Sequence, residues 1–381
     1  MELKTRGKAR NIVSPIVGRV TRDISFLNKD VILILDESVA KVCFNDYSSF
    51  KCVISTALVD DQEIACIEKA GFLHHLFEGD IIVANSDGVI NTLYRVNSFQ
   101  NSILVTERCN SNCLMCSQPP KDRQDIPYLH AIHQQLLPLI PKDCPELGIT
   151  GGEPTLMGNL FFDLLSQIRL ELPNTEVHCL TNGRTFAWRS FAKKLGAMKI
   201  DRLMLGIPLY SDYAPIHDYI VQAKGAFEQT MLGLYHLAEE GVRLEIRIVL
   251  HNQTVSRLGK LSRFIYKNLP FVEHVAFMGL EHQGYTPYNI DKLWIDPVDY
   301  MKELEDAVCF LSSKDMHVSI YNSQLCLMPE ALWKYSRNSI SDWKNIYLQE
   351  CEGCTALEKC GGLFASAEKK HSSYIRSFSS I

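Results

Sequence analysis

Thr106-Glu107-Arg108-Cys109-Asn110-Ser111-Asn112-Cys113-Leu114-Met115-Cys116-Ser117-Gln118-Pro119-Pro120 is the stretch on which the reading turns. It follows a short β-branched, apolar run, Ser102-Ile103-Leu104-Val105-Thr106, that reads as a strand. Its cysteines have Cys-x3-Cys-x2-Cys spacing. Three thiolates in so short a loop can wrap one face of an iron–sulfur cube and leave one iron open to an outside ligand. A structural zinc takes four protein ligands. The nearest further candidates, His130 and His133, lie beyond the Pro119-Pro120 break. A zinc knuckle and three chance cysteines are the competing readings.

Moving outward, residues 101–295 alternate strand-like runs with longer amphipathic segments. Glu146–Thr150, Glu176–Thr181, Leu203–Leu209, Leu244–Leu250 and Val275–Leu280 read as further strands. Leu160–Leu172, Phe186–Leu195, Phe227–Glu240 and Val255–Lys267 read as helices between them. Crossovers of this length join parallel strands and are right-handed, so six units curl into a partial (β/α)6 barrel or an open α/β sheet. The reactive loops then collect at the carboxyl ends of the strands. There the second strand runs into Gly151-Gly152-Glu153-Pro154 and the third into Thr181-Asn182-Gly183. Paired glycines permit close backbone approach to a ligand, and a carboxylate beside backbone carbonyls can accept from an ammonium group. Thr181-Asn182-Gly183 is equally compatible with an ordinary left-handed turn.

The flanks differ. Residues 1–100 hold short β-like runs, Val31–Leu35, Lys41–Phe44, Val53–Thr56, Asp80–Ala84 and Val89–Val96. The last two are separated by Asn85-Ser86-Asp87-Gly88, a hairpin signal. This is read as a small β-rich domain. Residues 296–381 begin with a helix-like segment from Asp299 to about Leu311 and turn loop-rich. Glu368–Ile381 is expected to fray. The second cysteine group lies here: Cys351, Cys354 and Cys360, in Cys-x2-Cys-x5-Cys spacing, with Cys326 upstream. Four thiolates can close the shell of a second iron–sulfur cube or of a zinc. Cys309 is the alternative fourth ligand.

The chain has 381 residues, 13 cysteines, 46% hydrophobic and 22% charged residues, and a formal net charge of −5. That charge argues against a partner bound through a bulk basic surface, so neither nucleic acid nor membrane is expected. No apolar run is long enough to span a bilayer. The basic, polar start does not read as a secretory signal, and clustered cysteines in such a chain suit a reducing, cytoplasmic setting.

With these residues in view, the chain resembles the radical SAM superfamily. Its loop is Cys-x3-Cys-x-aromatic-Cys, and its second strand ends in Gly-Gly-Glu-Pro. The resemblance implies an enzyme in which Cys109, Cys113 and Cys116 bind three irons of a [4Fe-4S] cluster and S-adenosylmethionine (SAM) chelates the fourth. It implies that Met115, in the usually aromatic position, offers its backbone near the adenine. Gly151, Gly152, Glu153 and Pro154 would take the SAM amino group, and Thr181 and Asn182 would lie near its ribose and methionine part. One departure stands out. Many peptide-modifying relatives place a Ser at the end of the fourth strand and an Arg in the following helix, both near the SAM carboxylate. Here Pro208 and Val221 occupy those places. Arg247 on the fifth strand is the candidate substitute, with a salt bridge inside the barrel as the competing reading. The C-terminal cysteines resemble SPASM and twitch auxiliary-cluster regions, which implies one auxiliary [4Fe-4S] cluster on Cys326, Cys351, Cys354 and Cys360.

Within the superfamily, Leu104–Pro120, Glu78-Gly79-Asp80-Ile81-Ile82 and Leu93-Tyr94-Arg95-Val96-Asn97-Ser98 resemble the His-Xaa-Ser system radical SAM maturase of the C type. This implies a peptide or protein substrate bearing His-Xaa-Ser repeats, a second radical SAM protein, a small companion and an electron donor. The alternatives are a small-molecule radical SAM enzyme akin to the nucleotide cyclase of molybdenum-cofactor synthesis, and a non-catalytic iron–sulfur sensor. An intact Gly-Gly-Glu-Pro loop speaks against the sensor. An exposed strand edge in residues 1–100 would serve to pair with an extended segment; a purely structural cover is the competing reading of this zone.

Overall fold

The apolar runs read from the sequence form two sheets in a computed structural model that describes residues 3–26, 30–36, 47–338, 345–368 and 370–378. The run Lys41–Phe44, with Cys43, lies outside the described residues. The chain divides into two units. One comprises residues 1–104, 124–148 and 159–175, and the other residues 105–123, 149–158 and 176–381.

In the first unit the strands are β1 (Lys4–Arg6), β2 (Lys8–Arg10), β3 (Ile16–Thr21), β4 (Val31–Leu35), β5 (Cys52–Ser55), β6 (Cys66–Glu68), β7 (Ile81–Ala84) and β8 (Val89–Tyr94). They pair in the order β1-β8-β7-β3-β4-β5-β6-β2. Only Gly7 separates the two end strands, so both ends of the sheet are one kinked strand and the sheet closes into a barrel. Lys4–Arg6 pairs with Val89–Asn91, and Lys8–Arg10 with Cys66–Glu68. Gly7 sits where no side chain fits: a Cβ there would lie 2.5 Å from Glu68 O. Closure removes the edges that an open sheet presents, so the expected free strand edge is not found among the described strands of this sheet. The β7–β8 hairpin forms as its turn residues indicate, with Gly88 at φ +81°. Val31–Leu35 is buried on both faces. Ile32 and Ile34 join one apolar cluster, and Val31, Leu33 and Leu35 join another with Tyr47 and Phe50.

The second sheet comprises β9 (Asn101–Leu104), β10 (Glu146–Thr150), β11 (Glu176–Leu180), β12 (Leu203–Pro208), β13 (Arg243–Leu250), β14 (His274–Gly279) and β15 (His317–Tyr321), ordered sequentially. The pairings from β11 to β15 are parallel. The intervening helices are α1 (Ile126–Leu136), α2 (Asn159–Glu171), α3 (Arg189–Ala197), α4 (Ala214–Val221), α5 (Ala226–Glu239), α6 (Asn252–Val255), α7 (Leu258–Asn268), α8 (Ile290–Leu293) and α9 (Met301–Ser312). The fold is of the expected α/β class, a largely parallel sheet with intervening helices, with a β-rich N-terminal sheet. It carries one strand more than the six read from the sequence. His317-Val318-Ser319-Ile320-Tyr321 joins Val275 and its neighbours in register as β15, so the alternation runs on past residue 295. No helix among the described residues is long and apolar enough to cross a membrane.

Strand β13 shows how the pattern sorts side chains. Leu244, Ile246, Ile248 and Leu250 are fully buried. Glu245, Arg247 and Val249 alternate to the other face.

Candidate active site

The three cysteines of the opening stretch form a loop held by backbone hydrogen bonds on two sides. On one, Gly152 N donates to Thr106 O at 2.8 Å and Glu153 N donates to Arg108 O at 2.7 Å. This approach explains the paired glycines: a Cβ on Gly151 would lie 2.6 Å from Thr106 O, and one on Gly152 2.0 Å from Arg108 O. On the other side, Asn112 N and Leu114 N donate to the carbonyls of Val221 and Ile220 at the end of α4. The loop after β14 adds a third support: Tyr285 N donates to Cys116 O, Thr286 Oγ1 to Met115 O and Asn289 Nδ2 to Leu114 O. Thr286 and Asn289 were missed by sequence reading because they stand 171 and 175 residues from Met115 and Leu114 respectively, and no spacing links them.

Glu153 is the knot of the site. Its carboxylate has no exposed surface. Oε1 accepts from Thr155 N, Thr155 Oγ1 and Thr181 Oγ1 at 3.0, 2.6 and 2.7 Å, and Oε2 accepts from Asn182 N at 2.7 Å. The structure therefore brings Glu153, Thr181 and Asn182 together, as the loop positions suggested. It also turns the carboxylate inward to the protein's own donors. Pro154 is buried and opens the short helical turn Pro154–Met157. Asn182 Nδ2 lies within 4.0 Å of Cys109 Sγ.

The thiols are partly buried. Burial, countered by the Ser111 amide and reinforced by the charges of Glu153 and Cys116, pushes the Cys109 thiol up to about 11. Burial and the neighbouring thiolates raise Cys113 further, against a small opposing pull from Arg184. Burial also raises Cys116. Thiols held this way keep their protons at neutral pH until a cation compensates their charge, which couples metal binding to proton release. Met115 is buried among Leu114, Tyr210, Ile220, Val221 and Leu293. Val221 belongs to that apolar cluster, which accounts for the absence of an arginine at its position.

Arg247 does not approach the cysteines by any contact found. Its guanidinium lies 2.8 Å from Glu245 Oε1 and 2.9 Å from Met278 Sδ. Glu245 also meets His178 and His274, and His274 reaches Ser319 Oγ. Burial pushes the Glu245 carboxyl up, but the hydrogen bonds of His178 and His274 and the Arg247 charge outweigh it and hold it well below the usual range. This is the salt bridge inside the barrel. A cation that does bond the cysteine loop is Arg184, directly after Thr181-Asn182-Gly183. Its Nη1 donates to Asn110 O and Ser111 Oγ in the cysteine loop, and its Nε to Gln229 Oε1. These partners are neutral. Its position one residue beyond a strand-end Asn-Gly turn was a usable signal.

In the C-terminal region Cys326, Cys351, Cys354 and Cys360 line one cavity with Leu325, Leu363 and Ile375. Cys309 is exposed on α9 and is not part of that lining. Of the polar residues around the cavity, Gln324 Nε2 donates to Gly362 O, the Tyr347 hydroxyl donates to the carbonyls of Leu357 and Cys360, and Arg376 is exposed. The donor set that remains is four thiols in apolar walls, which fits an iron–sulfur cluster. No group of three or more His, Cys, Asp or Glu among the described residues is arranged around a single-ion site. That holds for both cysteine groups alike. The expected fraying of the C-terminus is not seen in residues 370–378: Ser372 and Ile375 are buried, and the Phe378 ring packs on Trp333 at 5.3 Å.

Comparison with known proteins places this geometry. Residues 103–265 match the family model described as the Radical SAM superfamily. Over 287 residues the chain is 24% identical to the uncharacterized protein MJ0907 of Methanocaldococcus jannaschii, covering 69% of this chain and 97% of that one. The crystal structure of Streptococcus suis SuiB bound to S-adenosylmethionine aligns at 16% identity and TM-score 0.46, covering 57% of this chain and 49% of that chain. The chain thus spans about half the length of SuiB. Native anSMEcpe, solved with bound AdoMet and a Cp18Cys peptide, aligns at 17% identity and TM-score 0.50, covering 71% of this chain and 90% of that chain. At 17% identity the likeness to anSMEcpe is one of fold.

Proposed function

We propose, from a chain whose residues 103–265 match the Radical SAM superfamily model, an enzyme that cleaves SAM reductively and modifies a peptide or protein. The observation that carries the reading is the three-thiol loop clamped by the glycine backbone of residues 151–152 and knotted through Glu153 to the loop after β11. Cys109, Cys113 and Cys116 would hold a [4Fe-4S] cluster whose fourth iron is left to SAM. Bound there, the cluster supplies the electron that splits SAM into methionine and a 5′-deoxyadenosyl radical.

The chain's own residues prepare that place. Gly151 and Gly152 bring their backbone against the cysteine loop, where a side chain would clash. Glu153 acts through Thr155, Thr181 and Asn182, fixing two strand-end loops as a unit. Arg184, a guanidinium with neutral partners beside the cysteines, takes the role of carboxylate partner for SAM, while Arg247 stays with Glu245. Cys326, Cys351, Cys354 and Cys360 would hold an auxiliary [4Fe-4S] cluster.

The peptide class rests on the likeness in fold to anSMEcpe, which was solved with a peptide, and on the C-terminal cysteine cavity. The finer reading is a substrate with His-Xaa-Ser repeats, processed with a second radical SAM protein, a small companion and an electron donor in the cytoplasm. Its support is the sequence resemblance described above. The test is anaerobic reconstitution with dithionite and SAM, then co-expression with a His-Xaa-Ser repeat protein and mass spectrometry of the repeats. Formation of 5′-deoxyadenosine that is lost in Cys113→Ala is expected, with a Cys113-dependent mass change on the repeats. Unaltered repeats together with turnover of a small metabolite would move the enzyme to the small-molecule class. Equal 5′-deoxyadenosine from Cys113→Ala would overturn the cluster assignment.

A further inference from the structure

The segment from Ser372 to Phe378 passes over the four C-terminal cysteines and delivers backbone amides to two of them. Phe378 N donates to Cys354 Sγ at 3.4 Å, and the Arg376 amide donates to the Cys326 thiol. Residues 375–378 take no helical or turn conformation. Two amides of one short segment, two residues apart, thus reach two sulfurs. Its ends are fastened independently of any metal. Ile375 is buried with Leu327 and Leu363, the Phe378 ring packs on Trp333, and the Phe378 carbonyl accepts from Thr355 N at 2.9 Å and Thr355 Oγ1 at 3.2 Å. Ile375, Arg376 and Phe378 also form part of the cavity wall.

We propose that Ser372–Phe378 is a strap over the auxiliary cysteines that sets the reduction potential of the cluster they hold and slows its loss. The proposal rests on the four-cysteine reading above. Hydrogen bonds to the ligating sulfurs and exclusion of solvent are among the factors that fix a cluster's potential. Added electron density on the thiolates is stabilised by N–H donors, so the two strap amides favour the reduced cluster. Neither donor is a side chain. The Arg376 side chain is exposed, so its charge is dispensable to this role while its amide is not.

The experiment uses the full chain with Cys109, Cys113 and Cys116 replaced by Ala, so that any iron bound reports the C-terminal site. Iron content, a potentiometric titration followed by electron paramagnetic resonance, and release of iron to a chelator are measured. They are repeated with Arg376→Pro plus Phe378→Pro, which deletes both amides, and with Arg376→Ala, which keeps them. The parent binds about four irons, the cube stoichiometry. The proline pair lowers the reduced-to-oxidised ratio at a fixed potential about tenfold, ~59 mV for a one-electron couple, and speeds iron release to a similar extent. Arg376→Ala matches the parent. Should the proline variant misfold, amide exchange in the reconstituted parent decides instead: the fragment 372–378 exchanges far more slowly than a free peptide. Unchanged potential and iron release in the proline pair, or an unprotected 372–378 fragment, overturns the strap while leaving the cysteine site standing. A parent that binds no iron overturns the four-cysteine reading, and the strap with it.

Discussion

Replacing Glu153 by Gln separates two roles that one residue can have. The carboxylate is fully buried and accepts four hydrogen bonds from Thr155, Thr181 and Asn182. A glutamine amide placed with its oxygen at the Oε1 position keeps three acceptor contacts but turns its NH2 toward the Asn182 amide, donor against donor. One charge-assisted bond, worth about 1.5–3 kcal/mol, is lost, and a buried donor is stranded at a further cost of about 1–3 kcal/mol. Taking about 3 kcal/mol as the local cost, the opening equilibrium of the Asn182 loop rises roughly a hundredfold, since 1.36 kcal/mol is tenfold. Fragment-resolved hydrogen–deuterium exchange on the protein without SAM reads this directly: segment 176–188 of Glu153→Gln exchanges roughly a hundredfold faster at Asn182. SAM affinity falls as a consequence. If SAM affinity fell while exchange in the absence of SAM stayed as in the parent, Glu153 would be a direct ligand contact and the knot described above would be wrong.

Gly152→Ala forces a Cβ to 2.0 Å from Arg108 O, so the cysteine loop must shift; reconstituted iron at the first site and SAM binding should both be lost, measured by iron content and equilibrium dialysis. Arg184→Ala should weaken SAM binding by one to two orders of magnitude with little change in thermal midpoint. Arg247→Ala should do the reverse, since it leaves Glu245 buried without its cation, a change worth about 3–5 kcal/mol. Equal effects of the two on SAM would refute the assignment. In the iron-free protein, burial holds the Cys109 thiol up to about 11; its alkylation by iodoacetamide at pH 8 should be roughly a hundredfold slower than that of an unperturbed cysteine of pKa about 8.5, and rate constants near that of the free thiol would contradict its burial.

What the sequence determined by itself is local in origin. Cys109, Cys113 and Cys116 lie within eight residues, so one loop must bring them together. The strands β10 to β14 begin and end within a residue or two of their reading, because β-branched alternation between helical crossovers is a short-range signal. The glycines at 151 and 152 announced a close backbone approach, and the partner they approach proved to be the cysteine loop itself. Cys326 borders the same loop-rich stretch and lines one cavity with the later cysteines.

The tertiary structure decided what depends on residues far apart in the chain. Alternation along β13 puts Glu245 and Arg247 on one face but says nothing about the neighbours that meet them. His178 from β11 and His274 from β14 meet Glu245 together with Arg247, while Arg184 is the guanidinium that bonds Asn110 and Ser111 of the cysteine loop. The N-terminal sheet closes because Lys4–Arg6 and Lys8–Arg10 pair with residues 89–91 and 66–68, and two three-residue strands around a glycine carry no local sign of that. The strap from Ser372 to Phe378 looked free to fray because its composition is polar. Its order comes from Ile375, Phe378 and the thiols beneath it, contacts that no window along the chain contains. Periodicity is set by neighbours in sequence; charge pairing, sheet closure and the fate of a buried carboxylate are set by neighbours in space.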